Sequence, residues 1–445
     1  MTPETEARLV ADAGRIFDAA VRAVQAPALL DAVDLGALAG RPLGSFRRVV
    51  VVGAGKASIP LAGALEARLG ALAGRVEGAV VVPEGYPATA PPGLPRPARI
   101  AVREGGHPVP TAASAAAARE ALALVRGAGP DDLVVALVSG GGSALWTLLP
   151  DGVSLADVQA TTRALLAAGV PIGGVNAVRK HLSRISGGRL AAAAPPARLV
   201  ALVLSDVVGD DPATVASGPT VPDPTTFADA LAVVDGLDVP PAVRSFLERG
   251  ARGGAEESPG RPAAESETAL LGSNATALRA ARTEAERLGY AVAAVREGVT
   301  GEAREVGASA ARDGLAAPLS RPAAWLWGGE TTVTVAGAGR GGRNQEVALA
   351  AALALDGAAA PAVVLSGGTD GVDGPTDAAG GWGSPRTAGR VRAAGLDPAA
   401  RLADNDAHPA LDAAGALLRT GPTHTNVADI GVALRVRQAL FADAR

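Results

Sequence analysis

Cysteine is absent from the 445 residues, which excludes disulfides, thiol nucleophiles and cysteine-ligated metals. Aromatic side chains make up 2% of the chain against 48% apolar residues overall. Buried cores must therefore be built from Val, Leu and Ala, and the apolar share is large enough for sizeable ones. No block of lysine and arginine stands out, and the formal net charge is −4, which argues against nucleic acid as a partner. No apolar run could cross a bilayer: the most apolar stretch, Val347 to Leu365, is broken by Asp356, Gly357 and Pro361. A secretion signal is not legible either, because Glu4, Glu6, Arg8 and Asp12 interrupt any apolar segment. A cytoplasmic protein without a membrane partner is the expectation. The length predicts two or three domains of about 100–200 residues each.

What is present is a series of short apolar runs, each ending in glycine. Thr2-Pro3-Glu4 reads as a helix start, and Leu9, Ala13, Phe17, Ala20 and Val24 recur at helical spacing. Arg48 to Val52 is a β-branched run followed by Gly53-Ala54-Gly55-Lys56-Ala57-Ser58, the strand–turn–helix form of a nucleotide-binding crossover. It is not a Walker A loop, since the four-residue spacer is missing, and not a full GxGxxG, since Ser58 replaces the third glycine. Lys56 falls at the carboxyl edge of the strand, where α/β ligands bind; a solvated turn lysine is the equal alternative. A polar turn around His107 and an alanine-rich helix, Ala112 to Ala128, come next. Leu133 to Val138 has the continuous apolarity of a strand buried on both faces. Ser139-Gly140-Gly141-Gly142-Ser143 and a helix from Ala144 follow it, which makes a phosphate-cradle candidate. Asn176, Arg179, Lys180 and Ser183 share one helical face, although a solvated basic face would look the same. After a further strand, Leu199 to Leu204, come Asp206 and Asp210. Such carboxylates suit Mg²⁺, which takes one or two of them together with substrate phosphates. Arg249 to Glu267 is rich in Gly, Pro, Ala and Glu, without periodicity, and reads as a linker or disordered loop.

A second α/β unit is expected to start near residue 265, with strands at Ala269–Leu271 and Tyr290–Val295. In it, Gly328-Gly329-Glu330 leads into a Thr/Val alternation, Thr331 to Val335, read as a half-buried strand. A glycine-rich turn carrying Arg340 and Arg343 comes next, with Asn344 as N-cap and Glu346 in the first helical turn. Arginine, glycine and a helix N-terminus together favour an anion, though an ordinary surface turn has the same composition. Arg343 adjoins the cap; Arg340 reads as a solvated or supporting charge. Ala362 to Leu365 is a strand, and Ser366 to Gly374 after it echoes the earlier Ser-Gly-Gly. Asp370, Asp373 and Asp377 are spaced like metal or hydroxyl ligands, without the EF-hand pattern. Thr420 to Asp429 is a last polar turn, and Leu434 to Phe441 is expected to close the chain as a helix.

With these motifs the chain resembles the glycerate 2-kinase family with a C-terminal MOFRL domain. The matching segments are VVGAGKAS (51–58), EGGHPVP (104–110), LVSGGGSAL (137–145), NAVRKHLSRISGGRLA (176–191), LSDVVGDDPATVASGPT (204–220), GSNATAL (272–278), GGETTV (328–333), GRGGRNQE (339–346), SGGTDGVDGPTDAAG (366–380) and GPTHTNVADI (421–430). Members of the family often carry glycine where His424 stands. The resemblance implies two α/β domains. One is a larger Rossmann-like parallel-sheet domain over 1–248; the other is a smaller C-terminal domain over 265–445 that contains the MOFRL region, about 322–435. It further implies ATP-dependent phosphorylation of D-glycerate to 2-phosphoglycerate in the cleft between them. Lys56 and Arg343 match the family's catalytic lysine and arginine. Substrate or nucleotide contacts are expected from Gly55, Ser139, Gly140, Gly141, Gly142, Ser143, Asn176, Lys180, Glu330, Asn344, Asp370 and Asp373. Mg²⁺ is expected at Asp206 or Asp210, with Asp206, Asp370 and Asp373 as candidates to activate the hydroxyl. A homodimer is compatible with this reading. The chemistry agrees, because phosphoryl transfer needs positioned cations and N–H cradles more than covalent help. Two other function classes stand beside it. A hydroxypyruvate reductase using NAD(P)H would need a dinucleotide fingerprint and a catalytic histidine with an acidic partner. A non-catalytic sugar-acid or nucleotide-binding protein would not need both Lys56 and Arg343.

Overall fold

The computed structural model describes residues 1–316 and 319–437. Two compact units emerge. One comprises Leu29–Ser205 and Asp210–Leu271; the other comprises Met1–Ala28, Asp206–Gly209 and the chain from Gly272 onward.

The first unit is built on six strands: β1 (Arg48–Ala54), β2 (Val76–Pro83), β3 (Ala101–Gly105), β4 (Asp132–Val138), β5 (Arg198–Leu204) and β6 (Ser266–Gly272). Their order is β3-β2-β1-β4-β5-β6, and the pairings β1–β2, β1–β4, β2–β3 and β4–β5 are all parallel. Every residue of β4 is buried, as its unbroken apolar sequence requires of a central parallel strand. The strand order reverses between β1 and β4, and in an open parallel sheet that reversal opens a crevice beyond the strands' carboxyl ends. Because Ala54 is paired with Val138, the loops opening at Gly55 and Ser139 leave the sheet side by side.

The second unit holds β7 (Ala291–Val299), β8 (Ala323–Gly329), β9 (Ala362–Gly368), β10 (Gly380–Gly383), β11 (Leu417–Leu418) and β12 (Asp429–Arg435), ordered β11-β10-β9-β12-β8-β7. Only the β7–β8 pairing is parallel; β8–β12, β12–β9, β9–β10 and β10–β11 are antiparallel. The helix Arg343–Ala354 is buried almost all round from Asn344 to Ala352. Small residues let it press backbone-close on its neighbours. An added Cβ at Gly383 would lie 2.5 Å from the Ala348 carbonyl oxygen, and one at Gly307 would lie 2.1 Å from that of Val347.

The expected N-terminal helix forms over Pro3–Ala23, with Thr2 accepting the Thr5 N–H as N-cap. It folds with the second unit rather than with the residues that follow it. Phe17 reaches the sheet where Gly367 leaves room, the Phe17 ring lying 2.8 Å from an added Cβ there. Buried Asp12 accepts the Tyr290 hydroxyl at 2.8 Å, and buried Glu6 pairs with Arg390 at 2.8 Å.

Several local expectations give way. The strand at residue 269 is β6, which borders the first sheet, so the second unit resumes at Gly272 rather than near 265. Residues of the presumed linker are tied to the first unit: Glu257 accepts the Phe227 N–H at 3.0 Å, and Ser258 accepts from Arg189 at 2.9 Å. No long helix follows the SGGGS loop, only the turn Gly142–Leu145. Leu434 and Arg435 end β12; residues 438–441 of the predicted closing helix lie outside the described residues. Among the described residues no helix is long and apolar enough to cross a membrane.

Candidate functional site

In the first unit the predicted loops meet at the β1/β4 reversal. Gly55 adopts φ +133°, and an added Cβ would lie 2.1 Å from the Ser139 hydroxyl, so only glycine fits for both reasons. The N–H groups of this turn are consumed internally. Gly55 donates to the Val81 carbonyl at 3.2 Å, Lys56 to that of Gly140 at 3.0 Å, and Ala57 to Ser139 Oγ at 3.2 Å. The Gly53–Ser58 turn is therefore a latch that fixes Lys56 against the next loop, and its amides are not available as a phosphate cradle. The SGGGS loop differs. Ser139 is buried and Ser143 Oγ lies 2.8 Å from Ser217 Oγ, yet among the described residues the Gly140 and Gly141 N–H groups meet no acceptor. The amides left without an acceptor thus fall on Gly140 and Gly141, beside Lys56.

Two further segments, at His107 and at Ala216-Ser217, complete this edge; both lie in the family-matching stretches 104–110 and 204–220, but neither was given a site residue. The His107 ring lies 3.1 Å from an added Cβ on Gly141, and the Ala216 methyl group lies 2.6 Å from one on Gly142. Ala216 and Ser217 have φ +50° and +60°, left-handed values that cost non-glycine residues roughly 1–2 kcal/mol each. The only sequence signal was Ser217-Gly218-Pro219, a turn with no residue type that marks chemistry. On the helix Ile172–His181, Asn176 and Lys180 are buried. The Lys180 ammonium lies 3.5 Å from the buried carboxylate of Asp223, another residue not singled out. Arg179, between Asn176 and Lys180 in sequence, is partly buried.

In the second unit the stretch from Gly328 to Glu346 folds differently from its pattern. The strand ends at Gly329, and Thr331–Val335 forms only an isolated bridge between Thr332 and Glu302. The reason is competition: the Thr334 N–H and hydroxyl both donate to the Glu302 carboxylate, at 3.2 and 3.0 Å. Helix N-capping also shifts. Gly342 is the N-cap, and Asn344 lies inside the first turn. The positive helix end already holds an anion, the Asp373 carboxylate, which accepts the N–H groups of Asn344 and Gln345 at 3.1 and 2.9 Å and Gln345 Nε2 at 3.0 Å. Burial pushes the Asp373 carboxyl up to about 6; the helix amides pull the other way and Asp429 adds to the rise.

Arg343 is likewise engaged. It donates to Asp429 from Nε at 2.6 Å and from Nη2 at 3.0 Å, and its Nη1 lies 2.9 Å from Glu330. Burial works to lower the Arg343 value, but the facing Asp429 carboxylate outweighs it and holds the guanidinium charged. Asn344 Nδ2 donates to Asp429 at 2.9 Å, and Asn344 Oδ1 accepts from Ser366 at 2.6 Å. The structure thus gathers Glu330, Arg343, Asn344 and Asp373 round Asp429, a residue legible only as the end of the THTNVAD turn. Asp370 lies on the same side, its Oδ1 accepting the Val372 N–H at 3.1 Å. Asp206 belongs to this unit and accepts from Asn426 Nδ2 at 3.0 Å, whereas Asp210, in a left-handed conformation, belongs to the other. Among the described residues no group of three or more His, Asp or Glu is arranged to hold a metal. A partly exposed carboxylate such as Asp206 nonetheless has the hard oxygen donors that Mg²⁺ takes alongside phosphates. His424 has φ +57°, a backbone region in which glycine is free of strain.

Comparison with known proteins identifies the family. Residues 12–248 match a domain of unknown function, DUF4147, and residues 323–429 match the MOFRL family. A protein named "Glycerate 2-kinase" from Pyrococcus horikoshii is 39% identical over 87% of this chain and 87% of its own. A protein of Agrobacterium vitis, provisionally named a hydroxypyruvate reductase, is 44% identical over 94% of this chain and 92% of its own. The crystal structure of a glycerate kinase from Thermotoga maritima superposes with a TM-score of 0.81 at 39% identity, covering 95% of this chain and 98% of that one. With both domain models in order and such relatives over most of its length, the chain belongs to the glycerate 2-kinase family, in which a DUF4147 domain is followed by a MOFRL domain.

Proposed function

We propose that this glycerate kinase transfers the γ-phosphoryl group of ATP to D-glycerate, with Mg²⁺, giving 2-phosphoglycerate. The observation that carries the reading is the pair of N–H groups at Gly140 and Gly141 that meet no acceptor among the described residues, beside Lys56, at the point where the strand order reverses. Amides and an ammonium fixed there meet the negative charge of a transferring phosphoryl group without reorganising. In the reaction a glycerate hydroxyl oxygen bonds to the γ-phosphorus, the bond from that phosphorus to the ADP oxygen breaks, and the hydroxyl proton passes to a base. Asp373 is unsuited to that role, since both its oxygens hold the helix end; Asp206 and Asp370 remain. Mg²⁺, when bound with the nucleotide, would neutralise phosphate charge, and Asp206 is the carboxylate offered to it. Lys56 and Arg343 serve the same reaction in this proposal.

A reductase reading is supported less well. A bound dinucleotide needs the amides after β1 for its pyrophosphate, and here Gly55, Lys56 and Ala57 spend them on Val81, Gly140 and Ser139. The test is direct. With D-glycerate and Mg-ATP the protein forms ADP and 2-phosphoglycerate, distinguished from the 3-isomer by NMR, and with hydroxypyruvate and NADH it consumes no NADH. Lys56→Met lowers kcat by about a hundredfold or more, and Lys56→Met combined with Arg343→Met loses less than the product of the two single losses. NADH consumption without ATP, or a Lys56→Met enzyme with near-normal turnover, overturns the proposal.

A further inference from the structure

Among the described residues, the helix Ile172–His181 carries two polar side chains without a protein partner. Asn176 is buried, and its amide makes no hydrogen bond among the described residues. Arg179, three residues on and hence adjacent on the helix surface, is partly buried and makes neither hydrogen bond nor ion pair among the described residues. Burial, with no carboxylate to offset it, pushes the Arg179 guanidinium below its ordinary value. Partial burial of either group without a partner is unfavourable for the fold.

The neighbouring groups show that this is selective. Lys180 faces Asp223 at 3.5 Å. Arg189 donates to Ser258 Oγ at 2.9 Å and to the carbonyl oxygens of Lys180 and Glu256 at 3.1 and 3.2 Å. The Glu257 carboxylate lies 3.2 Å from His181 Nε2 and accepts from the Phe227 N–H. Every other charged group on this helix is matched. The helix also packs on the turn Val215–Ser217, which touches the turn Gly142–Leu145 of the SGGGS loop.

We propose that Asn176 and Arg179 are substrate-binding residues for D-glycerate: Arg179 takes the carboxylate and Asn176 a hydroxyl group. The assignment rests on the glycerate kinase reading and adds the residues that recognise the acceptor. A guanidinium fork matches a carboxylate with two parallel hydrogen bonds. An amide both donates and accepts, as a hydroxyl does, whereas a nucleotide phosphate only accepts and would use half of Asn176. A hydroxycarboxylate therefore satisfies both side chains, and a polyphosphate satisfies one. Arg343, which the family resemblance matches to the catalytic arginine, is already paired with Asp429 and Glu330.

Arg179→Gln and Asn176→Asp, made in the full chain, test this by steady-state kinetics in which D-glycerate and ATP are varied separately, by calorimetric titration with D-glycerate, and by thermal melting. For Arg179→Gln the KM for D-glycerate rises about tenfold or more, and that for ATP stays within about twofold. Its Tm holds or rises, because an unpaired cation has been removed. Asn176→Asp gives Arg179 a carboxylate of its own, so the Tm rises while D-glycerate binding is lost. A purely structural Arg179 would instead lower the Tm and leave both KM values alone. That outcome, an unchanged KM for D-glycerate, or a rise confined to ATP, overturns the assignment. If the unaltered protein forms no ADP with D-glycerate, the kinase reading itself has failed; if it does and Arg179→Gln matches it, only the present assignment has.

Discussion

Asp373→Asn probes whether a built-in carboxylate holds the end of the helix that carries Arg343. Asp373 is buried, with its carboxyl pushed up to about 6 chiefly by that burial, against the pull of the helix amides and with Asp429 adding to the rise. An unfolded aspartate titrates near 3.9, about 2 units lower, and each unit is worth about 1.4 kcal/mol. Below about pH 4 both states carry the proton. Between about pH 4 and 6 the unfolded chain has lost its proton while the folded chain keeps it, so stability falls as the pH rises; above about pH 7 neither state holds it and the loss is complete. The wild-type advantage over Asp373→Asn should therefore shrink by about 3 kcal/mol between pH 4 and pH 7. A pH-independent part, about 1–3 kcal/mol, reflects the amide donors of Asn344 and Gln345 that an asparagine cannot all satisfy. Urea unfolding read by tryptophan fluorescence measures both. Trp325, Trp327 and Trp382 lie in this unit, and a Trp146→Phe background removes the one tryptophan outside it. A difference that does not change with pH, or one that grows as the pH rises, refutes the reasoning.

Two more outcomes follow from charge pairing. Arg343→Met strands the Asp429 carboxylate, whose side chain is 8% exposed against 34% for Arg343. Because the arginine is partly screened by solvent, the loss should be about 1–3 kcal/mol. Adding Asp429→Asn should restore stability in urea melts without restoring kinase activity. Asp132, at the start of β4, is buried, which alone would raise its carboxyl; the Gly129 N–H and then Arg48 and Arg47 outweigh this and hold it below the usual range. A depressed value stabilises above the unfolded value and is lost on acidification. Asp132→Asn should therefore cost about 1–3 kcal/mol at pH 7, and the gap to wild type should close in unfolding curves taken below about pH 4.

Much of the first unit is readable residue by residue. Strands such as Val49–Val52 and Leu133–Val138 are continuous β-branched or apolar runs, and such runs have one stable home, a parallel sheet covered on both faces. Glycine after each run fixes where the chain turns, so Lys56 and SGGGS could be assigned to strand ends without coordinates. The errors lie where side chains compete with backbone for hydrogen bonds. Thr331–Val335 alternates like a strand, but the Glu302 carboxylate, distant in sequence, takes the Thr334 N–H and hydroxyl. Asn344 has the composition of a cap, but the Asp373 carboxylate arrives from another loop and does that work. Asn176, Arg179 and Lys180 look like one basic face; only the arrival of Asp223 beside Lys180 separates the paired cation from the unpaired one.

The chain's local pattern thus determined its two α/β units, its ordered family motifs and the loops that carry them, because apolar periodicity, glycine and capping residues act within a few positions. Tertiary structure decided which groups are spent and which are left. It placed the first helix with the second unit and consumed the amides after β1 while leaving those of Gly140 and Gly141. It also gave Arg343 two carboxylate partners and, among the described residues, Arg179 none. Hydrogen-bond and charge partners are chosen by proximity in space, between residues tens to hundreds of positions apart, and no local pattern encodes that choice.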